Sequence, residues 1–84
     1  MEQTNFDEML HLVEQARNTV IHAQMNFNSE EYQKALRALK LAKDQLSTVI
    51  HQDIQNDEQA KKVQHAKEHL MHLNETLVAL QSTH

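Results

Sequence analysis

Seven histidines in a chain of 84 residues that has no cysteine are the residues whose type and spacing come nearest to chemistry. They are His11, His22, His51, His65, His69, His72 and His84. His65, His69 and His72 stand at i, i+4 and i+7, on one side of a helix, with Glu68 within a turn of both ends. Imidazoles one turn apart can share a Zn²⁺ or Ni²⁺ ion. A structural or catalytic site asks for more, namely a fourth ligand from another helix and a second shell, and the sequence identifies neither. Glu8 and His11 have the Glu-x-x-His spacing of di-iron bundles, whose ligands all point into a core. Here both face outward on the apolar frame, and there is no second such motif and no fourth helix. Ser29, Ser47 and Ser82 fall at a cap, on a polar face and near a helix end, without a positioned base or an oxyanion site. On the apolar frame the first six histidines lie outside the principal core positions, which reads as a surface role. Protonation of all seven near their ordinary pKa of about 6.5 would carry the formal charge from −4 to +3.

Composition narrows the function classes further. With no Cys, no disulfide framework, cysteine nucleophile or thiolate zinc site is available. With no Gly and no Pro, phosphate-cradling loops, nucleophile elbows and tight primed hairpins are excluded together. No stretch approaches the roughly 18 to 20 apolar residues of a membrane span, and Met1-Glu2-Gln3-Thr4 lacks a basic region followed by an apolar one. A cytoplasmic location is the default expectation. The net charge of −4 argues against wrapping a nucleic acid, whose affinity comes largely from Lys and Arg on phosphates. Lys34, Arg37, Lys40 and Lys43 recur every third residue, but Glu30 and Asp44 sit four residues from Lys34 and Lys40. The run reads as a solvated face with helical ion pairs.

The elements that must position these side chains are helices, since Ala, Leu, Gln, Glu and Lys dominate and the only aromatics are Phe6, Phe27 and Tyr32. A first helix over about 6–25 follows an Asn5 cap with Glu8 three residues on, and its seam is Phe6, Met9, Val13, Ala16, Val20, Ala23 and Phe27. Asn26, Phe27, Asn28 and Ser29 then take the place that Gly would hold in a turn. A second helix over about 30–51 has Tyr32, Ala35, Leu39, Ala42, Leu46 and Val49 as its seam, widened by Leu36 and Ile50. Asn56 and Gln59 have the spacing of a capping box. The third helix, about 57–81, carries Val63, Ala66, Leu70, Leu73, Leu77 and Leu80, preceded by Ala60. Short connections make this an all-α, antiparallel, up-down-up three-helix bundle forming one domain over 1–84. The register lost between Leu46 and Val63 amounts to a slip that one continuous helix could absorb, but Asp53, Asn56 and Asp57 favour a break.

A domain so small is only modestly stabilised by burial, which favours self-association. Met71 and Val78 lie seven residues apart on the third helix, one position past its seam. Leu12, Ile21 and Leu41 are off-seam apolar positions on the other two. These are scattered surface hydrophobes, a wide core stripe, or an interface, for which adaptable Met is well suited.

The run His65-Ala66-Lys67-Glu68-His69-Leu70-Met71 resembles the phosphohistidine segment of the lactose/cellobiose-type IIA components of the sugar phosphotransferase system, which reads His-Ala-Gln-Asp-His-Leu-Met. Ala16-Arg17 and Glu31-Tyr32-Gln33-Lys34-Ala35 are loosely similar to the hairpin before it. The resemblance implies a trimeric three-helix bundle with His65 as phosphoryl acceptor and Glu68 as a carboxylate on a metal ion at the trimer centre. Glu68 stands where the family has Asp, Lys67 where it has Gln, and the connection before the third helix is shorter. In style and length the chain also resembles small all-helical proteins of Bacillus-type bacteria.

The reading that follows is a non-catalytic helical protein-interaction or structural module, needing no cofactor and with no small-molecule substrate identified. It acts as a homo-oligomer or on a protein partner, with Met71 and Val78 at the interface and neither nucleic acid nor membrane as partner. The alternatives are a phosphocarrier-like protein using His65, and a metal binder using His65, Glu68, His69 and His72.

Overall fold

Two asparagines decide where the chain turns. The computed structural model describes residues 5–51 and 56–83 and contains α1 (Asn5–Met25), α2 (Ser29–His51) and α3 (Asp57–Thr83). Asn28 Oδ1 accepts the backbone N–H of Glu31 at 2.9 Å, and its carbonyl accepts that of Tyr32. Asn28, and not Ser29, therefore caps α2. Asn28-x-x-Glu31 has the capping-box spacing, whereas Ser29 has Tyr32 three residues on. Phe27 packs on Tyr32 with ring centroids 5.9 Å apart, the positions of a hydrophobic staple before and after the cap. Asn56 Oδ1 likewise accepts the Gln59 N–H at 2.8 Å, which makes Asn56 the cap of α3 and forms one half of the capping box expected there. Among the described residues no backbone takes a positive φ. The asparagines thus replace Gly by satisfying helix-end N–H groups, not by entering the left-handed region.

Contacts between the helices fix the up-down-up order. Gln45, late in α2, donates to the carbonyl of Asn5 at the start of α1, at 3.1 Å. Tyr32 Oη, early in α2, donates to Gln81 Oε1 late in α3, at 2.9 Å, and Lys43 Nζ donates to Asn74 Oδ1 at 3.4 Å. Both pairs are antiparallel, so α2 and α3 are separate helices packed on each other. Residues 52–55, between them, lie outside the described set, and with them part of the expected turn.

The core follows the apolar seams. Met9, Val13, Ala16, Val20 and Ala23 of α1 meet Ala35, Leu39, Ala42, Leu46 and Val49 of α2, and Val63, Ala66, Leu70, Leu73 and Leu77 of α3 close over them. The α1–α2 contact is the most extensive of the three. Ala16, Ala23, Ala35 and Ala42 are all fully buried, and in the register set by Gln45 and Asn5, Ala16 comes level with Ala35, where two small side chains let the backbones approach closely. The seam ends differ from expectation. Phe6, Phe27, Tyr32 and Leu80 are half-buried, and Ala60 is exposed, because each lies where a neighbouring helix ends. Leu36 and Ile50 do not widen the α2 core; they are 36% and 42% exposed.

The result is long and thin, 43 × 25 × 17 Å with a Cα radius of gyration of 13.7 Å, against about 12 Å for a compact chain of this length. Among the described residues no polar or charged side chain is buried.

Candidate interaction surface

The buried seam of α3 divides its remaining surface into two flanks, and the sequence-selected residues fall on both. His65 and His69 line a groove against α1, with Leu10, Val13, Glu14, Lys62 and Ala66. Glu68 and Met71 line the opposite groove, against α2. His72 is exposed, its Nδ1 3.9 Å from Glu75 Oε2. The set His65, Glu68, His69 and His72 is thus split across the helix. Glu68 and His69, one residue apart, stand about 100° apart around the helix, so His69 borders the α1 groove and Glu68 the α2 groove. Glu68 accepts from Gln64 at 3.1 Å, and Glu14 accepts from Arg17 at 3.2 Å. Among the described residues no three His, Asp or Glu side chains are placed to hold a metal ion. Glu8 and His11 are exposed, and His11 is within hydrogen-bonding distance of Gln15. Ser47 lines the α2–α3 groove, and Ser82 Oγ donates to the Val78 carbonyl at 3.0 Å.

The α2–α3 groove is the larger of the two, about 510 Å³, floored by Leu46 and Leu70. Ile50, Ser47 and Lys43 come from α2; Lys67, Met71 and Asn74 come from α3. Met71 is 53% exposed. Leu36 lies seven residues before Lys43, and Val78, also 53% exposed, seven after Met71, so the same two helix faces continue past the groove. Four of the six large hydrophobics exposed among the described residues therefore share one side of the molecule. The other two are Met25, at the end of α1, and Leu41, on the flank of α2 away from α3. Leu12 and Ile21 are half-buried.

The lysine bridge sets the register across this face. With Lys43 level with Asn74, Ile50 and Met71 are offset by about 6 Å along the axis, and Leu36 and Val78 by about 4.5 Å. Two apolar patches thus flank a polar waist of Lys43 and Asn74. The periodicity of α3 singles out Met71 and Val78, but Leu36 and Ile50 look like core until the register is known. Their signal is the spacing 36, 43, 50, which repeats that of 64, 71, 78. Lys34, in the basic run, pairs with Glu30 and Glu31 at 3.7 Å. Among the described residues no helix is long and apolar enough to cross a membrane. No family model, no curated protein and no solved structure matches the chain.

Proposed function

We propose that this chain is a helical protein-interaction module without catalytic chemistry of its own, acting through the outer face of α2 and α3. One observation carries the reading: Leu36, Ile50, Met71 and Val78 align on one side of the bundle although each has left the core. Scattered surface hydrophobes are ordinary, whereas an aligned set rimmed by charge marks a surface made to be covered.

The test is photocrosslinking in the cells that make the protein, with a photoreactive residue at position 71, 78 or 41. Covalent adducts at 71 and 78, absent at 41 and unchanged by His65→Ala, are expected. No adduct at 71 or 78, or equal labelling at 41, overturns the reading.

A second reading, a phosphocarrier using His65, has its own support in an exposed His65 that shares a groove with Lys62 and His69. A cation beside an imidazole favours an incoming phosphoryl group. It expects acid-labile phosphate after incubation with acetyl phosphate, abolished by His65→Ala and untouched by Met71→Glu.

A further inference from the structure

We draw no further inference here: the strongest candidate, the exposed apolar face of α2 and α3 built on Leu36, Ile50, Met71 and Val78, carries nothing beyond the interaction reading above, because nothing in the structure shows what covers it.

Discussion

Three asparagines do two jobs along this chain. Asn28 and Asn56 accept the first free N–H groups of α2 and α3, and Asn74 receives the Lys43 ammonium across the α2–α3 waist. A capping side chain is worth about 1 kcal/mol, because its removal leaves a helix-end N–H to water or to nothing. Asn28→Ala and Asn56→Ala should each lower the melting temperature by about 4–8 °C in a domain of this size, read by circular dichroism. Ser29→Ala should do far less, and an equal loss would place the cap at Ser29 after all. The histidines are a different case. His65 and His69 share a groove, but the carboxylate there, Glu14, is held by Arg17, and Glu68 faces the other way. A ligand that binds only the folded state raises stability with its free concentration. Zn²⁺ at many times the protein concentration should therefore leave the melting temperature of the wild type and of His65→Ala with His69→Ala equal. A chelator-sensitive rise confined to the wild type would instead show that His65 and His69 share the ion, as imidazoles one turn apart can.

Each helix spells out its buried seam, and how far that could be read in advance differs between them. Val63, Ala66, Leu70, Leu73 and Leu77 alternate by three and four, and all are buried, since a stripe of that period must face the core wherever the neighbours lie. Leu36 and Ile50 follow the same grammar and are exposed. Periodicity fixes the direction in which an apolar stripe points, but the width that gets covered depends on where the two neighbouring helices sit, and Leu36 and Ile50 lie past the edge of what they cover. The exposed apolar face was half legible for the same reason: Met71 and Val78 stand off a clean seam, whereas Leu36 and Ile50 on α2 adjoin one. The alanines of α1 and α2 make a further prediction at this scale. Ala16 and Ala42 are fully buried, and their helices share the most extensive contact of the three. Ala42→Leu should cost about 1–3 kcal/mol by forcing the helices apart, although Leu is the more hydrophobic residue. Leu77→Ala should cost about 2–5 kcal/mol by leaving a cavity. Met71→Ala, on the exposed flank, should cost the isolated chain little. Urea titration of the three variants ranks them, and a stabilised Ala42→Leu would show that α1 and α2 are not closely packed.

For the molecule as a whole, shape and stability are one problem. A bundle 17 Å thin in its shortest dimension buries, among the described residues, fifteen hydrophobic side chains, five of them alanine, and has little volume from which to draw stability. Nothing in its composition supplies a disulfide to offset this. A partner on the α2–α3 face, as proposed, would couple folding to association. If that partner is a second copy that binds only the folded chain, the free energy of unfolding per chain rises with protein concentration by mass action. The melting temperature of the wild type should then climb steadily over a hundredfold increase in concentration. Met71→Glu with Val78→Glu should melt at one temperature throughout, matching the wild type at its most dilute. A wild-type melting temperature that stays flat with concentration would mean that the three helices are stable by themselves, and that whatever covers Leu36, Ile50, Met71 and Val78 does so after folding is complete.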